Sequence, residues 1–216
     1  MRPRYHLTMI HLGPRLMHNR PALEMKAAMV VYNVYQALFN FFMVVSFLRE
    51  VRRTGMPWWG SRVDHSLQGR PLAFLLYAHY HNKYVEFLDT FFMVVRKKQR
   101  QLTFLHIYHH ALMVWSWYAV LVFAPGGDAW FGACLNSFIY VCMYLYYLAA
   151  AYNFYCRWKK YLTQMQMIQF GLCGIHSAYL LCFCDPSTYP VSLIILQAFV
   201  MMNMLLLFGN FYRKSY

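Results

Sequence analysis

Apolar residues along this chain gather into six long blocks, and most polar residues fall between them. The blocks run Ala27–Leu48, Leu72–Val95, Phe104–Ala124, Ala129–Tyr155, Tyr161–Cys184 and Val191–Tyr212. Each is long enough for a helix to cross a bilayer, which takes about 20 residues. The breaks are short and carry Gly or Pro, as in Ala124-Pro125-Gly126-Gly127-Asp128 and residues 185–190. Only the connection from Arg49 to Arg70 is long. No linker, repeat or low-complexity tract interrupts the pattern. It predicts a single integral membrane domain over residues 1–216, all-α and polytopic, with six transmembrane helices visible.

Composition agrees. The chain of 216 residues is 60% hydrophobic and 12% charged, where about 45–50% apolar is usual for a soluble domain. Lys and Arg number 20 against 7 Asp and Glu. Such a balance can mark a nucleic-acid protein, but these bases lie in the gaps between apolar blocks, so nucleic acid is excluded as a partner and membrane topology explains them. Fourteen of them sit before the first block, between the second and third, between the fourth and fifth, and after the sixth. These regions share one side, which the positive-inside rule makes cytoplasmic, together with both ends of the chain. The six Cys residues fall mostly within apolar blocks and read as packing residues, with no zinc spacing. Cys134 and Cys182 or Cys184 could share one membrane face. The first 20 residues lack the continuous apolar core of a cleavable signal.

Polar residues inside the blocks carry the chemistry, because burying them is costly. His106, His109 and His110 stand three and four residues apart, so a helix presents all three over one side. Lys83, Glu86 and Asp89 repeat a three-residue spacing. Asn136, Tyr140, Tyr144 and Tyr147 line one face of the fourth block, and Thr163, Gln166 and Gln169 begin the fifth. Asp89 lies seven residues before Arg96, about 10 Å at the rise of a helix. Four helices thus offer polar groups in the half of the membrane nearest the basic loops, which predicts a buried chamber open to the cytosol.

Each group has a plainer reading. Lys83 and Glu86 form either a self-neutralising ion pair or a support that orients a histidine. The tyrosines either line the chamber or pack at the interface. Arg96, Lys97, Lys98, Lys159 and Lys160 are topology residues, or they meet the phosphates of a coenzyme. The histidines are structural, metal ligands, or nucleophile and base. A di-iron centre of the membrane desaturase or hydroxylase type needs several histidine boxes. Here only His79 and His81 could join the three, so the metal reading is poorly provided and no metal is expected.

In order along the chain, Lys83-x-x-Glu86-x-x-Asp89-Thr90, residues 101–110 ending in His106-Ile107-Tyr108-His109-His110, residues 136–147 and Thr163-x-x-Gln166-x-x-Gln169 resemble the motifs of the very-long-chain fatty acid elongases, the membrane 3-oxoacyl-CoA synthases of the endoplasmic reticulum. The resemblance covers nearly the whole chain. Gln101 resembles the polyunsaturated branch. The resemblance implies six helices around a narrow acyl tunnel closed at the lumenal end. It also implies a seventh, N-terminal helix, missing or truncated here.

As for activity, the resemblance implies condensation of an acyl-CoA with malonyl-CoA to a 3-oxoacyl-CoA, CO2 and CoA. His109 would carry the acyl group as an acyl-imidazole, with His106 and His110 orienting groups or moving protons. Asn136, Gln166 and Gln169 would donate hydrogen bonds to developing oxyanions. No bound cofactor is implied, and partners would be the bilayer, other enzymes of the elongation cycle or a second copy. One position departs from the family: Tyr140 stands where it has a histidine of the active site. With a pKa near 10, tyrosine is a poor base at neutral pH, so a hydrogen-bonding role for Tyr140, or compensation by His79 or His81, is expected. A non-catalytic or impaired relative is the alternative.

Overall fold

The computed structural model describes residues 12–154 and 158–216, and every regular element among them is helical. Arg2, Arg4, His6, His11, Tyr155, Cys156 and Arg157 lie outside the described residues. After a helical turn over residues 12–16, the elements are α1 (Lys26–Thr54), α2 (Arg70–Val85), α3 (Phe87–Val95), a 3-10 turn (Gln99–Gln101), α4 (Phe104–Phe123), α5 (Ala129–Ala151), α6 (Lys159–Phe183) and α7 (Val191–Ser215). Helix α1 outruns its expected block and stops at Gly55, whose φ of 64° is the left-handed cap that glycine adopts without a Cβ penalty.

Four helices are long and apolar enough to cross a membrane: α1, α5, α6 and α7. The chain is an all-helical, polytopic membrane protein. The second expected span is divided. Glu86 separates α2 from α3, and the Asp89 N–H donates to the Glu86 carbonyl at 3.0 Å, a tightened i→i+3 turn. The third span, α4, has the expected bounds within a residue, but its three histidines lower its apolarity.

Packing closes the long helices into a ring: α1 lies against α2, α2 against α4, α4 against α7, α7 against α6, α6 against α5, and α5 against α1. Contacts between α2 and α5 cross this ring. The largest apolar core joins Met43 and Phe47 of α1, Leu76 of α2, Trp130 and Ala133 of α5 and Leu193 of α7. It sits at the end of the bundle opposite the basic loops. Large apolar residues such as Phe41, Phe42, Ile168, Ile175 and Leu206 are exposed on the outside. In water that surface would be an aggregation hazard; against lipid it is matched.

Candidate active site

Residues three apart on a helix meet across a turn, and Lys83 and Glu86 use this spacing. Lys83 Nζ lies 2.8 Å from Glu86 Oε1, with both side chains 1% exposed. The same ammonium donates to Asn136 Oδ1 of α5 at 2.7 Å and stands 4.2 Å from the centre of the Tyr140 ring. The Tyr140 hydroxyl donates to Glu86 Oε2 at 3.0 Å, and Asn82 Nδ2 reaches Glu86 Oε1 at 3.4 Å. Both oxygens of the buried carboxylate are therefore partnered, as a charge withdrawn from water requires.

One turn further, Asp89 Oδ2 accepts from Tyr144 at 2.8 Å and from Tyr32 at 3.1 Å. Tyr32 comes from α1, a helix the sequence reading left out of the site. Gln36 and Asn40 continue the same face: Gln36 Oε1 accepts from Asn82 at 2.9 Å, and Asn40 donates to the Gln36 carbonyl at 2.8 Å. Asn33, Gln36 and Asn40 are all buried. Their three- and four-residue spacing inside an apolar block was the signal that finds them.

The histidine box opens α4. Thr103 caps this helix by accepting the His106 N–H at 3.3 Å, which sets the three histidines in its first two turns. His106 Nε2 lies 2.9 Å from Thr90 Oγ1 of α3. The His106 and His110 ring centres are 4.5 Å apart, and those of His109 and His110 are 5.4 Å apart. His110 is buried and faces Phe87 at 6.1 Å, while the half-buried His109 lies 6.3 Å from Phe208 of α7. The box is one cluster, tied to the acidic segment through Thr90.

A narrow cavity begins one turn past the box, at Met113, and runs between α4, α5, α6 and α7. Asn136 and Gln169 line it, so the amide held by Lys83 faces this space. Thr163 and Gln169 are buried and Gln166 is half-buried. The neighbouring Gln164, which the motif skips, donates to the Tyr212 hydroxyl at 2.7 Å. Of the four residues expected along one face of α5, Asn136, Tyr140 and Tyr144 are buried, while Tyr147 is 41% exposed at the edge of the Tyr144 ring.

The two spare histidines have different surroundings. His79 is buried against Ser137, at 3.3 Å, and Trp117. Trp117 lies eight residues beyond His109 on α4, about 12 Å deeper. His81 is exposed and bonded to the Tyr77 carbonyl. Lys97, Lys98, Lys159 and Lys160 are exposed and Arg96 partly so. Lys97 adopts a φ of 54° and donates to the His18 carbonyl at 3.2 Å. Among the described residues, no group of three His, Cys, Asp or Glu gathers as a metal ion requires. Cys134, Cys142, Cys173, Cys182 and Cys184 are free thiols.

The chain is 40% identical over 215 residues to very long chain fatty acid elongase 2 of Mus musculus, covering 98% of this chain and 73% of that protein. It is 38% identical over 212 residues to very long chain fatty acid elongase 7 of Rattus norvegicus, covering 95% and 75%. It is 36% identical over 222 residues to very long chain fatty acid elongase 5 of Homo sapiens, covering 98% and 71%. A profile of the GNS1/SUR4 family matches residues 4–216, and on that match, which takes in every residue of the site, the chain belongs to the ELO family.

Proposed function

We propose that this protein elongates fatty acids by condensing a long-chain acyl-CoA with malonyl-CoA. The observation that supports the reading is that His106, His109 and His110 form one cluster at the start of α4, one turn before the cavity that begins at Met113 between four helices. His109 attacks the thioester carbonyl, the C–S bond breaks, and CoA leaves with a proton. Malonyl-CoA then loses CO2, and the resulting enolate carbon attacks the acyl-imidazole. A carbon–carbon bond forms, the C–N bond to His109 breaks, and a 3-oxoacyl-CoA two carbons longer departs. Asn136 and Gln169, which line the cavity, donate to the oxyanion of each tetrahedral state. His106, fixed by Thr90, and His110 handle protons. The sequence as written needs no metal or bound cofactor.

Several finer statements belong to the same proposal. The tunnel receives the acyl tail, with Met113, Met201 and Phe170 as an adaptable apolar wall. Polyunsaturated tails are its preferred substrates. Exposed Lys97, Lys98, Lys159 and Lys160 meet the CoA phosphates. The basic loops face the cytosol, the membrane is that of the endoplasmic reticulum, and other enzymes of the cycle or a second copy are its partners. The decisive test is product analysis. Protein in lipid nanodiscs with malonyl-CoA and a panel of acyl-CoAs should yield the extended 3-oxo products, and His109→Ala should abolish them. Full turnover by that variant would remove the nucleophile assigned here.

A second reading, a non-catalytic acyl-CoA-binding relative, is favoured by one observation. The Tyr140 hydroxyl is committed to Glu86, so position 140 supplies no base. Tyr140→His discriminates: a gain of an order of magnitude over a barely active parent supports the impaired relative. A rate unchanged or lowered from an active parent supports the enzyme.

A further inference from the structure

At the far end of the bundle, a second buried acid has a different surrounding. Asp128 precedes α5 and is 1% exposed. Its Oδ1 accepts from the Gly60 N–H at 2.9 Å and faces His176 Nε2 at 3.4 Å. His176 is wholly buried, and Gln197 Nε2 lies 3.2 Å from its Nδ1. An amide N–H can only donate, so Nδ1 accepts and the proton of a neutral imidazole sits on Nε2, directed at Asp128. The chain of donors is complete at Oδ1. Oδ2 is buried and has no hydrogen-bond partner among the described residues. The position is held firmly. Gly127 has a φ of 51°, and a Cβ there would come within 2.7 Å of the Ser61 carbonyl, so this turn packs closely on the long loop that supplies Gly60.

Asp128 lines a pocket together with Leu180, Tyr189 and Ile194. Tyr189 lines the acyl cavity as well, as do Ala129, next to Asp128, and Gln197, the partner of His176. Tyr189 therefore stands between the two spaces. From His109 to Ala124 the path along α4 is about 22 Å. A saturated tail brought past Tyr189 to Asp128 would offer its unpartnered oxygen no donor, and leaving such an acceptor unmatched is costly.

We propose that Asp128, held by Gly60 and His176, is a subsite for a hydrogen-bond donor at the far end of the lipid chain, and that it selects acyl chains with a terminal hydroxyl group. The proposal rests on the acyl cavity assigned above, and its test separates the two. The full chain in nanodiscs, without malonyl-CoA, is titrated with acyl-CoAs of graded length ending in hydroxyl or in fluorine, which is similar in size but has no hydrogen to donate. At one chain length, wild type should bind the hydroxyl form at least about tenfold more tightly, the scale of a hydrogen bond to a charged acceptor. Neighbouring lengths should show little preference. In Asp128→Asn, which loses the charge and sets an amide nitrogen that cannot accept in place of the free oxygen, the ratio should fall to within about twofold. An equal ratio at every length in wild type, or a ratio that Asp128→Asn leaves intact, overturns the subsite; the free oxygen then holds only a water molecule. Hydroxyl-selective binding without elongation on adding malonyl-CoA overturns the condensation and keeps the subsite. No acyl-CoA binding at all overturns both.

Discussion

Glu86 and Asp128 are both acids withdrawn from solvent, at opposite ends of one bundle, and they are treated differently. Glu86 is met on both oxygens, by Lys83 and Asn82 on one and Tyr140 on the other. Asp128 is met on one oxygen only, by Gly60 and His176. A saturated charge has nothing left to offer a ligand and serves as scaffold; an unsaturated one is a contact in waiting. The same contrast separates Glu86 from the histidine box. The acid lies within a closed network of α1, α2 and α5, while His106 and His109 are half-buried in the first turns of α4, before the cavity that begins at Met113.

The largest effect should come from breaking the saturated end. Lys83→Met leaves a buried carboxylate without its ammonium and should cost about 3–5 kcal/mol, read as lost thermal stability in nanodiscs. Combining it with Glu86→Leu should recover most of that loss, because removing both charges removes their desolvation cost. A double variant as unstable as the single one would show that the network, not the charge, is what matters. Tyr140→Phe should cost less, about 1–3 kcal/mol, since Glu86 Oε2 loses its donor. Asp128→Asn should cost no more than about 1 kcal/mol, because an amide oxygen still accepts from Gly60 and His176. A loss equal to that of Lys83→Met would erase the distinction between the two acids. Thr103→Ala should cost about 1 kcal/mol through the α4 cap and should lower turnover more than stability, since that cap sets the box.

Much of this site was legible before any coordinates. Charged and amide side chains in apolar blocks stand out because lipid tolerates few of them. That rule found Lys83, Glu86, Asp89, the histidines, Asn136 and Gln169. It also applied to Asn33, Gln36 and Asn40, yet α1 looked like a plain span because nothing about it suggested a partner. Tyr32 was not legible at all: a tyrosine near a helix end is ordinary, and only its approach to Asp89 makes it part of the network. The break at Glu86 was also hidden, since neither Pro nor Gly marks it. Asp128 and His176 are 48 residues apart in the chain, and no local spacing links them.

The order of apolar blocks, the side on which the bases fall and the three-residue spacings of the polar groups were determined by sequence alone. Each depends on the bilayer and on the period of a helix, which act on a chain locally. Tertiary structure decided which helices are neighbours in the ring, that Tyr140 spends its hydroxyl on Glu86, and that one oxygen of Asp128 is left over. Those outcomes depend on distances between residues far apart in sequence, and a hydrogen bond made or missed by an ångström leaves no trace in a linear pattern.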